Sequence, residues 1–252
     1  MATTKIALVT GSGKRRVGNT VAHSLATHGY DVALHYFQAR AEAEQTVSEL
    51  TREGLRAISV GADFHDDASV VRMVEEVIAH FDRIDLLVNC AGVWLPKPLE
   101  EVTAYDVRFH FEVNTLGTFL CSQQVGLAMV RQPEGGSIIT VGDWAMDRPY
   151  VGYSAYFPSK GAIPTLTRCL AVELGTRNPK VRVNCILPGP VMYPPGIGSE
   201  ERATIIDSTL VKREGTPEHV AQAVLFLAQN DFVTGACLTV DGGRSVFSPA
   251  EQ

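Results

Sequence analysis

Tyr156 and Lys160 are the residues of this chain whose types and spacing most directly suggest proton transfer. They lie four residues apart in the segment VGDWAMDRPYVGYSAYFPSK, residues 141–160. Residues four apart share one face of a helix, so a lysine ammonium beside the phenol is expected to lower its pKa from about 10 and let Tyr156 exchange a proton near neutral pH. The chain has 7 tyrosines, so the spacing alone does not separate a reaction centre from an exposed helix pair.

Asp143 is an acid 13 residues before Tyr156. A carboxylate cannot donate a hydrogen bond to a carbonyl that becomes an alkoxide, and its charge repels that oxygen. It suits a substrate that offers N–H groups, or a ring nitrogen that gains a proton. Burial can also keep the acid protonated and able to donate. A third interpretation is a loop carboxylate that caps the next turn. The sequence favours the first of these three.

The elements that must position these residues alternate between strands and helices. Short apolar runs predict strands at 5–10, 31–36, 55–60, 84–90, 135–142, 181–188 and within 235–243. Helical patterns predict helices at about 18–29, 39–54, 67–81, 104–131, 153–176 and 216–229. About seven strands, apolar on both faces, with helices between them indicate a doubly wound parallel sheet, a Rossmann fold in a single α/β domain over residues 1–252. A Pro/Gly-rich stretch at about 190–213 is expected to form a substrate loop.

Composition excludes several classes of function. The chain has 252 residues, 45% hydrophobic residues and a net charge of −6, so we expect a globular protein that does not bind nucleic acid. It has five cysteines without metal-ligand spacing, no signal peptide pattern and no long apolar run. We therefore expect no metal, no membrane contact and a cytoplasmic location with reduced cysteines.

The glycine-rich segment Thr10–Gly18 joins the first predicted strand to the first predicted helix. Glycines let the backbone approach a pyrophosphate, and the helix start offers N–H groups and a positive dipole end. The other interpretation is a glycine turn with surface cations. The second strand ends without an acid for a ribose 2′-hydroxyl until Glu42, whereas Arg15, Arg16 and Arg40 are available for a 2′-phosphate. We therefore predict an NADP(H) site.

These motifs, taken in order, resemble the short-chain dehydrogenase/reductase family over nearly the whole chain. The resemblance rests on the Thr-Gly loop, Asp63, NCAG at 89–92, Asn114, the Tyr156/Lys160 pair and the Pro-Gly at 188–189. It implies a catalytic set of Asn114, Asp143, Tyr156 and Lys160. The predicted cofactor contacts are Gly11, Arg15, Arg16, Val17, Gly18, His35, Tyr36, Asp63, Asn89, Ala91, Gly92, Tyr156, Lys160, Pro188, Gly189 and Val191. In particular, Asp63 is expected at the adenine and Asn89 under the adenosine ribose.

Two departures from the family pattern indicate a subgroup. Asp143 stands where the family has a serine, and Tyr193 stands where a threonine usually follows the Pro-Gly. Together with LHY at 34–36 and Trp94, Asp143 is similar to the pattern of pteridine reductases. The predicted substrate contacts are Trp94, Asp143, Trp144 and Tyr193, with either tryptophan able to stack on a flat ring or to pack at the rim.

The sequence thus predicts an NADPH-dependent reductase that transfers hydride to a C=N or C=O bond of a small, pterin-like molecule. The alternatives are a carbonyl or 3-oxoacyl reductase of the same family, and a non-catalytic nucleotide-binding regulator. The helices predicted at 104–131 and 153–176 carry apolar residues on more than one side. The resemblance implies that they pair across subunits, so a homotetramer is expected.

Overall fold

The computed structural model describes residues 4–193 and 196–248. One sheet of seven strands runs through the protein, in the order β3-β2-β1-β4-β5-β6-β7, and every neighbouring pair is parallel. The fold prediction is confirmed. The strands are β1 (Lys5–Thr10), β2 (Tyr30–Tyr36), β3 (Ala57–Gly61), β4 (Leu86–Asn89), β5 (Gly136–Val141), β6 (Val181–Pro188) and β7 (Cys237–Val240).

Helices cover both faces of the sheet. They are α1 (Val17–Thr27), α2 (Arg40–Arg52), α3 (Asp67–Phe81), α4 (Ala104–His110), α5 (Gly117–Arg131), α6 (Tyr156–Gly175), α7 (Ser199–Asp207) and α8 (Pro217–Gln229). A π-helical segment, Phe111–Leu116, joins α4 to α5, and short 3₁₀ turns lie at Leu99–Glu101 and Trp144–Met146. Within the part of the chain that is described, no helix combines the length and the apolar character needed to cross a membrane.

Two apolar layers hold the helices on the sheet. One layer contains Val21 of α1 and Val224 of α8, and the other contains Met73 of α3 and Met129 of α5; all four are at most 1% exposed. The chain leaves β3 and crosses to β4 on the far side of β1. This reversal opens a crevice at the carboxyl ends of β1 and β4, where open parallel sheets bind ligands. The loops after the strands therefore converge there.

Three details differ from the sequence-based expectation. The stretch 190–213 is not wholly a loop, because Ser199–Asp207 forms α7; Pro194 and Pro195 lie outside the described residues. The outer strands β3 and β7 are partly exposed rather than apolar on both faces, since each has a neighbour on one side only. The long helix expected at 104–131 contains the π-helical segment. Such extra turns are frequent at functional sites.

Candidate active site

The loop after β1 is shaped by close backbone contacts. A Cβ on Gly11, whose φ is +65°, would lie 2.7 Å from the Cα of Ala91. A Cβ on Gly13 would lie 2.7 Å from Cβ of Tyr36, and one on Gly18 would lie 2.8 Å from the carbonyl oxygen of Gly11. Side chains at these positions would displace the neighbouring backbone or fill the loop. The segment therefore folds only with glycine at these points.

His35, near the end of β2, holds the loop after β1 in place through hydrogen bonds. The N–H of Gly11 donates to Nδ1 of His35 at 3.0 Å, and the N–H groups of Ser12 and Gly13 donate to its carbonyl oxygen at 3.0 and 3.1 Å. Nδ1 accepts, so Nε2 carries the proton and donates to the carbonyl of Ala62 at 3.1 Å. Burial lowers the pKa of His35 to about 4. The neutral histidine is thus a buried support for the loop.

The first turn of α1 is the part of the loop suited to an anion. The residue before the helix, Arg16, makes no side-chain cap to the helix N–H groups. The first N–H groups of a helix have no partner within the helix, and they favour negative charge. Val17 and Gly18 of this turn line the crevice. The turn is chemically suited to a pyrophosphate, and the contact predicted from the sequence stays a prediction.

The cations near the loop divide into two groups. Lys14 and Arg16 line the crevice together with Gln38, which follows β2. Arg15 instead contacts Glu49 of α2, with its Nη2 2.7 Å from Oε1, and Arg40 contacts Glu44 at 2.8 Å. Of the two predicted arginines, only Arg16 therefore faces the nucleotide side. Lys14 is a further candidate that the motif itself contains but the sequence reasoning left out.

Asp63, which the sequence predicts at the adenine, lines the crevice together with His65, which the sequence did not single out. The Oδ1 of Asp63 accepts the N–H of His65 at 3.0 Å, and this bond and the nearby His65 ring hold the pKa of Asp63 below its ordinary value. Asn89 is 1% exposed and lies beneath the surface of the crevice, where its Nδ2 donates to Ser122 Oγ at 3.0 Å. Within the described residues its Oδ1 has no partner.

Asn114 lies in the π-helical segment and is fully buried. Its Oδ1 accepts the N–H of Val93 at 2.8 Å, and its Nδ2 donates to the Val93 carbonyl and to Ser159 Oγ, both at 3.0 Å. The Ser159 hydroxyl donates in turn to the carbonyl of Tyr156 at 2.6 Å. Asn114 thus links the segment after β4 to the first turn of α6. Ser159 is an additional positioning residue that no motif in the sequence indicated.

Tyr156 and Asp143 are directly bonded. The Tyr156 hydroxyl donates to Oδ2 of Asp143 at 2.8 Å, and Oδ1 of the same carboxylate accepts the N–H of Ala145 at 2.8 Å. The capping interpretation of Asp143 and the catalytic one are therefore both compatible with the geometry, because each oxygen has its own role. Tyr156 is 5% exposed and lines the crevice.

The prediction that Lys160 lowers the pKa of Tyr156 is wrong in this arrangement. Burial raises the pKa of Tyr156, and the charge of Asp143 and its hydrogen bond raise it further. The ammonium of Lys160 instead donates to the carbonyl of Val141 at 2.8 Å, and burial lowers the pKa of Lys160. Burial also raises the pKa of Asp143, against the opposing effects of Ala145, Tyr156, Lys160 and Arg244. Each of the three groups is therefore displaced toward its neutral form.

The predicted substrate residues occupy two places. Trp94 lines the crevice, is 38% exposed and stacks on Tyr153, with ring centroids 4.9 Å apart and planes 9° apart. Trp144 and Tyr193 do not line the main crevice. The guanidinium of Arg244 lies over Trp144 at 4.5 Å, and that of Arg202 lies over Tyr193 at 5.6 Å. Sequence reasoning missed Arg244 because no motif marks it.

The crevice is one cavity of about 510 Å³. Thirteen of the predicted residues line it: Gly11, Arg16, Val17, Gly18, His35, Tyr36, Asp63, Ala91, Gly92, Trp94, Tyr156, Gly189 and Val191. Eight predicted residues do not line it: Arg15, Asn89, Asn114, Asp143, Trp144, Lys160, Pro188 and Tyr193. Met192, Phe109 and Val113 also line it and were not predicted. Asn114 and Lys160 are close behind the surface, since a Cβ on Gly92 would lie 3.1 Å from Asn114 Oδ1 and 3.5 Å from Lys160 Nζ.

A parallel sheet with this loop and a buried Tyr–Lys pair defines a nucleotide-dependent oxidoreductase. A family model described as enoyl-(acyl carrier protein) reductase matches residues 12–245. The chain belongs to the short-chain dehydrogenase/reductase family, whose members use a nicotinamide cofactor. The uncapped first turn of α1, the glycine loop and the cations beside Gln38 are chemically suited to such a dinucleotide.

Relatives with similar sequences extend over almost the whole chain. An uncharacterized oxidoreductase from Methylorubrum extorquens is 37% identical over 95% of this chain and 97% of its own length. A hydroxynaphthalene reductase-like protein from Metarhizium brunneum is 33% identical over 95% of this chain and 94% of its own. The crystal structure of a blue fluorescent protein from a metagenomic library, in complex with NADPH, is 35% identical with a TM-score of 0.86, covering 95% of this chain and 97% of that one.

Proposed function

We propose that the protein is an NADPH-dependent reductase that acts on a C=N or C=O bond of a small, flat molecule, with Tyr156 as the proton donor. The observation that carries this proposal is the hydrogen bond from the Tyr156 hydroxyl to Asp143, at the surface of the crevice. It holds the phenol proton at a defined position next to the substrate end. When bound, NADPH supplies the hydride.

The choice of NADPH over NADH follows from charge. Lys14 and Arg16 line the cavity, and Gln38 stands after β2 where an acid would select a ribose 2′-hydroxyl. A 2′-phosphate forms charge-assisted hydrogen bonds with such cations. The similar blue fluorescent protein was crystallised with NADPH, which agrees with this proposal.

Asp143 is proposed to exchange its hydrogen-bond donor when the substrate binds. Oδ1 accepts from the Ala145 N–H and Oδ2 from the Tyr156 hydroxyl, so Oδ2 is the oxygen at which a ligand donor competes with Tyr156. A substrate N–H that donates to Oδ2 displaces the Tyr156 hydroxyl, which is then free to donate to the atom that gains a proton. This exchange requires an N–H beside the reducible bond. A pterin-like heterocycle has that arrangement, whereas a simple cyclic imine has an N–H only when it is protonated.

The aromatic residues at the substrate end favour a flat molecule. Trp94 and Tyr153 are stacked with nearly parallel rings, and Trp94 lines the cavity with 38% of its surface exposed. Such a face can stack on a ring. The relative named as hydroxynaphthalene reductase-like is consistent with a planar substrate, although its name refers to a carbocycle. Pterin-like chemistry is therefore a proposal that rests mainly on Asp143.

A carbonyl or 3-oxoacyl reductase is the second candidate function. The observation in its favour is the burial of Asp143, which raises the pKa of this carboxyl. A protonated Asp143 can donate to a carbonyl oxygen, as a serine hydroxyl would. This form of the site is most populated at low pH. It loses its donor as the pH rises through the raised pKa.

Assembly as a homotetramer is part of the proposal. The π-helical segment exposes Phe111 and Leu116, which are 36% and 40% exposed, beside Phe119 of α5. These residues and Leu166 of α6 line an apolar groove of about 380 Å³. A second copy of the chain would pack its own α5 and α6 against this groove. Because α6 also carries Tyr156 and Lys160, the interface would involve a helix of the proposed active site. Light scattering of a micromolar sample should give an oligomer; a stable monomer would contradict this part.

The experiment that tests the proposed function is a turnover screen. Purified protein is mixed with NADPH or NADH and a pterin, a cyclic imine, an aryl ketone, a 3-oxoacyl thioester or a quinone. Oxidation of NADPH with the pterin or the imine, faster than with the ketone, is the expected result. The reverse order favours the second candidate. Absence of turnover with all compounds would contradict the proposal. The cytoplasmic location remains a prediction from the sequence.

A further inference from the structure

Arg244 is a half-buried arginine at the substrate end of the site. Its guanidinium carbon lies 4.5 Å from the centroid of the Trp144 ring, and Trp144 directly follows Asp143 in the chain. Within residues 4–193 and 196–248, Arg244 forms no salt bridge with a carboxylate. A partly desolvated cation without an acidic partner is costly, so it is a candidate for ligand binding.

The backbone around Arg244 is held in place on both sides. The Asp241 carboxylate accepts the N–H of Gly243 at 2.8 Å and the N–H of Ser245 at 2.6 Å. Nη1 of Arg148 donates to the carbonyl of Arg244 at 3.1 Å and to that of Phe247 at 2.9 Å. The segment after β7 is therefore tied to the loop that follows Trp144. These hydrogen bonds fix the backbone at Arg244 and do not involve its guanidinium group.

The charge of Arg244 acts on the residues around the reaction centre. It lowers the pKa of Asp143 and of Tyr193, but burial raises both pKa values, and the charge of Glu214 raises that of Tyr193 further. The Tyr193 hydroxyl is buried and has no hydrogen-bond partner among the described residues. The charge of Arg244 thus reaches both Asp143 and Tyr193, and neither the guanidinium nor the Tyr193 hydroxyl donates to an acceptor among the described residues. The Arg244 guanidinium and the Tyr193 hydroxyl are both hydrogen-bond donors, so a negatively charged acceptor would suit both.

We propose that Arg244 and the Tyr193 hydroxyl form a subsite for a carboxylate carried by the substrate. A planar guanidinium can bind a carboxylate through two parallel hydrogen bonds. The Trp144 ring lies against the guanidinium of Arg244 and supports it by a cation–π contact. The carboxylate offers Tyr193 the acceptor that it lacks. The inference rests on the proposed function, because it places this carboxylate on the molecule that Tyr156 protonates. It makes Arg244 a specificity-determining residue rather than a catalytic one.

The test uses two probes that differ only in charge at one end. We compare 4-carboxybenzaldehyde with methyl 4-formylbenzoate, using NADPH, in the parent protein, Arg244→Gln and Arg177→Gln. Arg177 is an exposed arginine beyond the end of α6 that contacts Glu173 at 3.4 Å, so it controls for the loss of one positive charge. Arg244→Gln should lower kcat/KM for the acid by about ten- to a hundredfold, mostly through KM, and change the ester by less than about twofold. Arg177→Gln should change neither probe.

Equal losses for both probes in Arg244→Gln would overturn the proposal, because they would show that Arg244 only supports the site. Unchanged turnover of the acid would overturn it as well. Arg244→Lys keeps the charge without the planar fork, so it should recover part of the affinity for the acid.

A binding measurement separates this proposal from the proposed function. Benzoate should quench the tryptophan fluorescence of the parent protein saturably, and benzamide should do so much more weakly. Arg244→Gln should lose the difference between the two ligands. If neither aldehyde is reduced by the parent, the proposed function fails for these carbonyls, and the benzoate result alone decides the subsite. A parent protein that does not distinguish benzoate from benzamide overturns it.

Discussion

The two ends of the crevice are built by different means. At the nucleotide end, loop N–H groups donate to His35, and close contacts at Gly11, Gly13 and Gly18 shape the backbone. At the proposed substrate end, side chains make the contacts: the Tyr156 hydroxyl donates to Asp143, and the Arg244 guanidinium lies over the Trp144 ring. Backbone geometry leaves a recognisable glycine pattern in the sequence, whereas side-chain pairing does not. In the proposed function, the first end binds the cofactor whatever the substrate, and the second end selects the substrate.

The largest expected effect is at the point where the two ends meet. Tyr156→Phe should lower kcat/KM by at least about a hundredfold, because positioned acids contribute about a hundred- to ten-thousandfold to such reactions. NADPH affinity, measured by fluorescence titration, should stay close to that of the parent. A circular dichroism spectrum identical to the parent's is the control for folding. Retention of more than a few per cent of the parent rate would assign the proton to another group.

The nucleotide end should depend on pH through His35. The pKa of His35 in the folded protein is lowered to about 4 from an ordinary value of 6.5, so the unfolded chain binds the proton more readily. This contribution to stability is complete above pH 6.5 and is lost as the pH falls from there toward about 4. A shift of this size corresponds to about 3 kcal/mol of unfolding free energy.

Urea unfolding of the parent and of His35→Asn across this pH range checks the His35 prediction. The asparagine has an acceptor for the Gly11 N–H but does not titrate, so the variant should show a shallower loss of stability. NADPH affinity of the parent should weaken over the same interval, because protonated Nδ1 cannot accept from Gly11. The same pH slope in both proteins would show that other groups carry the effect.

A smaller effect is expected from the cations of the loop. Arg16→Ala should reduce the preference for NADPH over NADH by about ten- to a hundredfold, the range expected for a charged hydrogen bond to the 2′-phosphate. Arg15→Ala is the matched control, because Arg15 contacts Glu49 and not the crevice. The ratio of kcat/KM for the two nucleotides is the measurement. Equal use of both nucleotides by the parent would remove the basis of this prediction.

The smallest effect is expected at the aromatic face. Trp94→Ala should lower kcat/KM for a flat heterocycle by about fivefold more than for an aliphatic cyclic imine, since stacking contributes about 1 kcal/mol beyond burial. The aliphatic imine is the internal control for general damage to the site. Equal losses for the two substrates would indicate that Trp94 is a packed rim residue.

The sequence predicts the sheet well because buried parallel strands are short apolar runs. β1 and β6 have the predicted bounds, and the other strands lie within two residues of theirs or inside the predicted segment. α7 was missed because its surroundings are rich in glycine and proline, and within it no residue is buried. Its helical pattern has no apolar face to detect.

The candidate site was predicted less completely, since its details depend on distant partners. The motif could not distinguish Arg15 from Arg16, because Glu49, which binds Arg15, is 34 residues away. The direction of the Tyr156 pKa was wrong because Lys160 bonds the Val141 carbonyl while the hydroxyl meets Asp143. Arg244 and Trp144 are brought together only by the folded chain.

We propose that Asp143 selects the substrate by exchanging its hydrogen-bond donor. The most direct test is kcat/KM of the parent, Asp143→Ser and Asp143→Asn on one dihydropterin and one activated aryl ketone, across pH. We expect Asp143→Ser to lower turnover of the pterin by about ten- to a thousandfold and to leave ketone turnover equal or higher. The contradictory result is a parent that reduces the ketone well at low pH and loses this activity as Asp143 ionises, with Asp143→Asn retaining it.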